Sequence, residues 1–269
     1  MKRKAEIGVF GGSGFYSLFG SAEKVAIDTR YGAPSAPLTV SRIGGRSVAF
    51  LPRHGVHHEY PPHVVPYRAN MLAFKELGVT RVMCPCAVGS LKPEVEPGDL
   101  VFCDQLVNST GGREDTFYDG PETTHVSTAD PYCPEMRRIG IEVAQKLGLK
   151  AHETGTVVVI QGPRFSTRAE SKFFRAQGWD VVNMTQYPEV VLARELELCY
   201  LNVSLVTDYD AGLEGDPKIV PVSHEDVMKV FDRNLGRLRS LIIEIAKALP
   251  KERGCGCGRS LKHARLSAK

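Results

Sequence analysis

The chain has 269 residues, of which 42% are hydrophobic and 24% are charged. Such a length and balance are typical of a soluble globular protein that buries a full core. The formal net charge of +3 is too small to indicate a nucleic-acid or membrane-surface partner. No stretch approaches the roughly 18 apolar residues of a membrane span. The start, MKRKAEIGVFGGSG, lacks the apolar run of a signal peptide.

Short β-branched runs alternate with helix-like segments, several of which begin near proline and end in glycine. The predicted strands cover residues 6–10, 37–43, 47–52, 81–88, 99–107, 155–162, 180–185 and 201–208. The predicted helices cover residues 66–78, 134–148, 167–178, 187–200 and about 223–249.

This alternation predicts one α/β domain over residues 1–250, with a mixed, largely parallel β-sheet flanked by helices. The polar stretch 108–130 is long for a connection and is predicted to be a functional loop or a surface excursion. Residues 251–269 form a basic C-terminal tail that contains Cys-Gly-Cys, and the end of this tail is expected to be solvated.

Seven cysteines occur in the chain, mostly inside apolar segments. An odd number placed in this way fits free thiols in a reducing compartment better than a disulfide framework. We therefore expect a cytoplasmic protein.

Candidate anion-binding groups stand where predicted strands end. The first strand runs into GVFGGSGFY, residues 8–16, whose glycines let backbone N–H groups approach an anion and whose Ser13 adds a hydroxyl. The third glycine of a dinucleotide fingerprint is absent, and no Lys-Ser/Thr follows as in a P-loop. On its own, this stretch is equally consistent with a tight turn.

A second strand end is LPRHGVHHEYPPH, residues 51–63. An arginine that leaves an apolar strand is costly unless something anionic meets it, so Arg53, with His54 beside it, favours an anion site. The histidines here suggest a metal site as an alternative. Their spacing lacks the HExxH pattern, and no cysteine or carboxylate completes a tetrahedral set, so we predict no metal.

Further strand ends carry CAVGS (86–90), QGPRFSTRAES (161–171) and NMTQYPE (183–189), each of which could also be ordinary turn and cap chemistry. The strand at 201–208 ends in Asp208 and, two residues on, Asp210, which alternation would place on the same side. Because strand ends of an open α/β sheet converge on one crevice, these groups together predict a single site. That site would take an anion of phosphate type and a group that needs hydrogen-bond acceptance or a proton.

The motifs GGSGFY, PRHGxxH, YRANxxAxKELGV, GSLxPxxxPGD, TFYDGP, GPRFSTRAES, NMTxxPEVxLARE and TDYD appear in this order. On the basis of these motifs, residues 7 to about 249 resemble the 5′-methylthioadenosine phosphorylase branch of the trimeric purine nucleoside phosphorylases. The resemblance implies the nucleoside phosphorylase fold and a pentosyltransferase that cleaves a purine nucleoside with inorganic phosphate. It implies a homotrimer, which could double to a hexamer. Purine nucleoside and phosphate are the expected partners, with no nucleic acid, no membrane, no metal and no organic cofactor.

The resemblance also implies a role for individual residues. Asp208 would donate a proton to purine N7, since burial and its neighbour Asp210 would raise its pKa. Met184 would carry the ribose, Phe165 would stack near the base, and Ser166 would lie in the base pocket. The phosphate would be held by Ser13, Arg53, His54, Cys86, Ala87 and Thr185.

Three features depart from the family pattern. Cys86 stands where a threonine hydroxyl commonly meets phosphate, so this contact would come only from the backbone. The segment after TDYD is longer than usual. His224 stands where methylthio-specific members look apolar and where related inosine/guanosine phosphorylases carry a histidine for the ribose 5′-hydroxyl. It could also be a surface residue at the start of a helix.

Methylthioadenosine, cleaved to adenine and 5-methylthioribose 1-phosphate, is the first predicted substrate. The alternative in this class is a broader purine nucleoside phosphorylase acting on adenosine, inosine or guanosine, with His224 as a specificity residue. Outside the class, the alternative is a non-catalytic purine-binding protein. The 108–130 loop, with His125, is the candidate for a contribution from a neighbouring subunit. Three interpretations of GCGCG (254–258) stay open. The two cysteines could form a disulfide as in some heat-adapted relatives, they could bind a metal, or they could have no role.

Overall fold

A computed structural model describes residues 5–11, 22–212 and 221–265, so the predicted phosphate ligand Ser13 lies outside the described residues. The described strands are β1 (Ile7–Gly11), β2 (Glu23–Val25), β3 (Leu38–Ile43), β4 (Arg46–Pro52), β5 (Arg81–Ser90), β6 (Leu100–Val101), β7 (Gln105–Ser109), β8 (Ala151–His152), β9 (Thr156–Ile160), β10 (Val181–Asn183) and β11 (Cys199–Asp208). The described helices are α1 (Tyr67–Glu76), α2 (Pro134–Lys146), α3 (Arg168–Ala176), α4 (Gln186–Glu195) and α5 (His224–Ala248).

The strands form one mixed sheet in which β5 is the branching point. One path runs β2-β3-β4-β1-β5-β10-β9-β7, and a second leaves β5 through β11 to β6 and β8. The pairs β1–β4, β1–β5, β5–β11, β9–β10, β7–β9 and β6–β8 are parallel. The prediction of an α/β domain with a largely parallel sheet is therefore confirmed.

Both faces of the central strands are covered. One cluster of buried side chains, which includes Phe10 and Phe74, packs under α1 and α4, and the other, which includes Val9 and Leu241, packs under α2 and α5. Burial on both faces explains why these strands read as continuous apolar runs rather than as alternating patterns.

Local sequence signals fix most helix starts. Thr167 and Glu170 form the predicted capping box at the start of α3. The predicted helix 187–200 is wrong at its end, because α4 stops at Glu195 and Glu197 adopts a positive φ of 56°. The chain then enters β11, where Cys199 pairs with Arg81 of the central strand. Sheet pairing thus overrides the helical propensity of this segment.

The predicted strand 99–107 is two strands with different partners, β6 beside β11 and β8, and β7 beside β9. The C-terminal tail is also not solvated throughout. Ala264 is buried, its carbonyl accepts the backbone N–H of His125 at 2.7 Å, and the Ser260 hydroxyl donates to the Arg194 carbonyl at 2.6 Å. Within the described ranges, none of the helices has the length and apolarity that a membrane crossing requires.

Candidate active site

A cavity of about 630 Å³ opens where β4, β5, β10 and β11 end, beside the start of α5. Most of the site residues predicted from the sequence line this cavity. They come from widely separated segments of the chain. Ser166 is not on its wall. The nominated residues that line it are Arg53, His54, Cys86, Ala87, Phe165, Met184, Thr185, Asp208, Asp210 and His224.

Arg53 is held in place by an acid that sequence reasoning missed. Its guanidinium forms a two-pronged ion pair with Glu189, with Nε bonded to Oε1 and Nη2 lying 3.2 Å from Oε2. Glu189 has no exposed surface and also accepts the Tyr200 hydroxyl at 2.9 Å. Burial alone would lower the pKa of Arg53, but Glu189 outweighs it and raises that pKa. The cavity therefore carries a permanent cation in a fixed orientation.

A signal for Glu189 was present in the sequence. It is an acid within the otherwise apolar stretch YPEVVLA of α4. A buried acid needs a partner, and Arg53 supplies it.

His54 is fixed as a neutral imidazole. Its Nδ1 lies 2.8 Å from the Tyr60 carbonyl oxygen, which can only accept, so Nδ1 carries the proton and Nε2 is left as an acceptor. Burial, reinforced by the charge of Arg53, lowers the pKa of His54 to about 4. At neutral pH this side chain can accept a hydrogen bond from a protonated oxygen without adding charge.

Thr185 stands just before α4, held by the side chain of Asn183. The Asn183 Oδ1 accepts the backbone N–H of Thr185 at 2.7 Å and that of Gln186 at 2.8 Å, while its Nδ2 donates to the Ala87 carbonyl at 3.0 Å. Asn183 thus ties the end of β10 to β5. This positions the Thr185 hydroxyl on the cavity wall.

The Cys86 thiol faces a polar network inside the sheet. Its Sγ lies 3.2 Å from Asn202 Nδ2 and 3.8 Å from both Ser204 Oγ and Gln186 Nε2. Burial raises the pKa of this thiol. The sulfur is therefore a neutral part of the sheet's packing.

Asp208 and Asp210 reach the same cavity, but not by strand alternation as predicted. The register of β11 against β5 shifts between Val206 and Asp208, and β11 ends at Asp208. Asp210 lies beyond the strand with a φ of 51°, and its backbone N–H donates to Asp208 Oδ1 at 2.7 Å. A bulge followed by a tight turn, rather than the period of two, brings the acids together.

The Asp208 carboxyl is accommodated by the absence of a side chain at Gly89, where a Cβ would lie 2.8 Å from Oδ1. The pKa of Asp208 is raised to about 6, mainly by burial and to a lesser extent by the charge of Asp210, while the hydrogen bonds from the Thr207 hydroxyl and the Asp210 backbone N–H oppose the rise. This acid can therefore hold a proton near neutral pH, as a general acid must.

Asp210 is 3% exposed, and burial raises its pKa as well. Ser166 and Ser171 lie close enough to lower that pKa, but burial outweighs them. Among the described residues, neither Asp210 Oδ2 nor Ser166 Oγ has a well-formed hydrogen bond. Asp210 lines the cavity, and Ser166, which does not, lies near its carboxyl.

Helix α5 supplies a mostly apolar wall that also carries one imidazole, His224, and one acid, Asp232. His224 is exposed as the first residue of α5. Burial lowers the pKa of His58, and the proximity of His224 lowers it further. The His58 ring stacks on His54 with centroids 4.6 Å apart. The apolar residues of α5 that line the cavity are Val227, Met228, Phe231 and Leu235.

Met184 and Phe165 also line the cavity. Gly162 has a φ of 63°, and a Cβ there would lie 2.7 Å from the Met184 Sδ. The lack of a side chain at Gly162 therefore makes room for the Met184 side chain. Phe165 is 37% exposed and lines the cavity.

The geometry separates two kinds of chemistry. One end has a fixed cation, a neutral acceptor and a hydroxyl, which suit an anion that carries a proton. The other has two acids with raised pKa values, which suit a base that must be recognised and protonated. In the described part of the chain, the group of donor atoms spaced to share a metal ion lies away from this cavity, at Cys133, Cys199, Cys255 and Cys257.

Comparison with known proteins gives a consistent result. Residues 6–247 match the sequence model of the phosphorylase superfamily. An S-methyl-5′-thioadenosine phosphorylase of Mycolicibacterium smegmatis is 55% identical over 251 residues, covering 93% of each chain. A purine nucleoside phosphorylase of Streptomyces coelicolor is 50% identical over 270 residues, covering 97% of this chain and 95% of the relative.

The fold agrees with these sequence matches. The structure of a methylthioadenosine phosphorylase from Schistosoma mansoni in complex with adenine superposes with a TM-score of 0.91, at 33% identity. The match covers 98% of this chain and 100% of that one. The chain therefore belongs to the phosphorylase superfamily, as the resemblance implied.

Proposed function

We propose that this protein catalyses phosphorolysis of S-methyl-5′-thioadenosine, giving adenine and 5-methylthioribose 1-phosphate. One observation carries the proposal. A single cavity sets a buried, fixed guanidinium at one end and, at the other, a carboxyl whose pKa is raised to about 6. Relatives of about half identity that are named for this activity support it.

The phosphate end would bind and orient the nucleophile. Arg53 supplies charge in a fixed orientation, Thr185 supplies a hydroxyl, and neutral His54 Nε2 accepts a hydrogen bond from the protonated oxygen of a phosphate at neutral pH. Binding the anion here places its oxygen for attack on the anomeric carbon without a metal. Phosphate would be a co-substrate, and no organic cofactor would be required.

The base end would make the purine a better leaving group. The bond between the sugar C1′ and the purine nitrogen breaks with its electron pair going to the base, while a phosphate oxygen forms the new bond to C1′. Protonated Asp208 gives its proton to the base, and Asp210 accepts a hydrogen bond from the purine edge. Positioned acid catalysis of this kind contributes roughly 10²- to 10⁴-fold in rate.

The 5′ end of the nucleoside would face α5. The apolar side chains of Val227, Met228 and Phe231 favour a methylthio group over a hydroxyl. His224 and the S. coelicolor relative named as a purine nucleoside phosphorylase favour a second candidate, phosphorolysis of 5′-hydroxyl nucleosides such as adenosine, inosine or guanosine.

Release of free base from methylthioadenosine, adenosine and inosine, each with and without phosphate, tests the proposal. We expect phosphate-dependent release with the highest kcat/KM for methylthioadenosine. Phosphate-dependent release that favours a 5′-hydroxyl nucleoside would instead establish the second candidate. Purine binding with no phosphate-dependent turnover would instead indicate a non-catalytic purine-binding protein.

His224→Leu sharpens the choice of substrate. If the apolar wall selects the methylthio group, this variant keeps or raises kcat/KM for methylthioadenosine and lowers it for adenosine. His263→Leu is a matched control, because His263 is an exposed histidine on the C-terminal segment and does not line the cavity.

We also propose a cytoplasmic homotrimer in which the 108–130 loop of a neighbouring subunit completes the cavity. His125, on this loop, is exposed and does not line the cavity of its own chain. Light scattering of the purified protein tests the assembly. His125→Ala with an unchanged KM for nucleoside would count against the contribution of the loop.

A further inference from the structure

Four cysteines from three separate segments meet on the α2 and α5 side of the sheet. Cys133 caps α2, Cys199 opens β11, and Cys255 and Cys257 come from the C-terminal segment. Their sulfur atoms all lie within 4.8 Å of one another, and Cys199 Sγ is 3.3 Å from Cys255 Sγ. Cys255 is partly exposed and the other three are 0–4% exposed. Below, these four residues are called the cysteine cluster.

We propose that the cysteine cluster is a structural metal site that binds one zinc-type divalent ion. Four thiolates at about 2.3 Å from zinc form a tetrahedron with sulfur atoms about 3.8 Å apart. The four sulfur atoms here, all within 4.8 Å of one another, are close enough to share one such ion. All four cysteines are free thiols. Since four protein ligands fill the coordination sphere, the site would be structural rather than catalytic.

The surroundings favour the thiolate form that a metal needs. The backbone N–H of Met136, in the first turn of α2, donates to Cys133 Sγ at 3.5 Å. The positive end of the helix dipole and such donors stabilise a thiolate.

A buried cation stands beside the cluster. Arg81 pairs in register with Cys199 across β5 and β11, so its side chain leaves the sheet on the same face. It is 1% exposed, donates to the Glu252 carbonyl at 2.8 Å, and its Nε has no hydrogen-bond partner in the described part of the chain. A divalent ion with four thiolates carries two negative charges, and Arg81, which also faces Glu135 at 3.9 Å, would offset part of them.

The consequence would be a fixed C-terminal segment. Residues 251–265 follow α5, and their last part carries the Ala264 carbonyl that holds His125 and the Ser260 hydroxyl that holds Arg194. A metal bound by Cys255 and Cys257 would tie this segment to α2 and β11. Because the unfolded chain lacks such a site, metal binding would add to stability, and up to four protons would be released on binding.

The test uses the full-length protein, reduced, loaded with zinc, desalted and analysed by mass spectrometry for metal content. We expect about one zinc per chain, with the four thiols protected from alkylation until a chelator and denaturant are added. Cobalt loading should give the visible bands of a tetrahedral thiolate complex. Retention of no metal, or recovery of the four cysteines as disulfides before reduction with no zinc uptake afterwards, overturns the proposal.

Variants link the metal to these residues without relying on activity. Cys257→Ser should lose the zinc and lower Tm by about 5 °C or more. If that variant fails to fold, Cys255→Ser at the partly exposed position provides the same metal measurement. Cys103→Ala, a buried cysteine outside the cluster, is the control and should retain the metal. Equal zinc content in the cluster variants and the control would overturn the assignment.

Discussion

The two ends of the cavity are built in opposite ways. At the phosphate end, protein partners hold the polar groups in place. Arg53 is paired to Glu189, and the Asn183 side-chain oxygen accepts the backbone N–H of Thr185. At the base end, Asp208 and Asp210 have raised pKa values, and Asp210 Oδ2 has no well-formed partner among the described residues. The first arrangement holds a constant charge in place, and the second keeps a proton available. A phosphorylase needs both, because the anion must be oriented while the base must be protonated.

The largest effect is expected from Asp208→Asn. The amide is nearly isosteric but cannot donate an acidic proton, so kcat/KM for methylthioadenosine should fall by roughly 10²- to 10⁴-fold. Phosphate affinity should change little, because Asp208 lies at the other end of the cavity. Steady-state kinetics and phosphate binding by calorimetry check this. Turnover equal to wild type would remove Asp208 from the role of general acid.

At the phosphate end, Glu189→Gln should be the most disruptive change. It leaves the buried Arg53 charge without its counter-charge, so the free energy of unfolding should fall by about 3 kcal/mol and the KM for phosphate should rise. Tyr200→Phe is the matched control, because it removes only one hydrogen bond to Glu189 and should cost about 1 kcal/mol. Urea unfolding compares the two variants. A larger loss for Tyr200→Phe would contradict the importance of the ion pair.

The pH dependence separates the two ends further. Asp208 is protonated below about pH 6, so kcat/KM should fall as pH rises through that value. The hydrogen bond from the Thr207 hydroxyl lowers the pKa of Asp208, and the carboxylate charge of Asp210 raises it. Asp210→Asn should therefore move the fall to lower pH, and Thr207→Val should move it to higher pH. Shifts in the same direction would show that Asp208 is not the group being titrated.

The smallest effect is expected from Cys86→Ser. Its sulfur bonds Asn202 within the sheet, so the KM for phosphate should change by about threefold or less. Cys86→Thr provides the sharper comparison. A strong gain in phosphate affinity with threonine would show that the side chain at this position faces the anion after all.

The sequence predicted the fold class because β-branched runs and helix caps act locally. The capping box of α3 and the proline at the start of α2 mark helix starts that depend on neighbouring residues only. The predicted end of the helix at 187–200 is wrong because a long-range contact decides it. Cys199 pairs with a strand more than a hundred residues away. The prediction that the end of the tail is solvated is wrong for the same reason, because the Ala264 carbonyl accepts a hydrogen bond from the distant His125.

For the candidate site, residue types at strand ends were enough to nominate Arg53, Asp208 and Asp210. The sequence could not supply their partners. Glu189 meets Arg53 across 136 residues, and the turn that brings Asp210 beside Asp208 depends on a bulge in a strand whose neighbour is β5. These relations set the charges and pKa values on which the proposed chemistry depends.

By itself, then, the sequence determined the α/β class, the order of most elements and the list of candidate polar groups, because periodicity, capping and composition act over a few residues. Only the tertiary structure decided which acid pairs with Arg53, how the two aspartates face one cavity, and that four cysteines from three segments meet. The physical reason is that burial and Coulomb interactions depend on distances in space, and the folded sheet brings together residues that the chain keeps far apart.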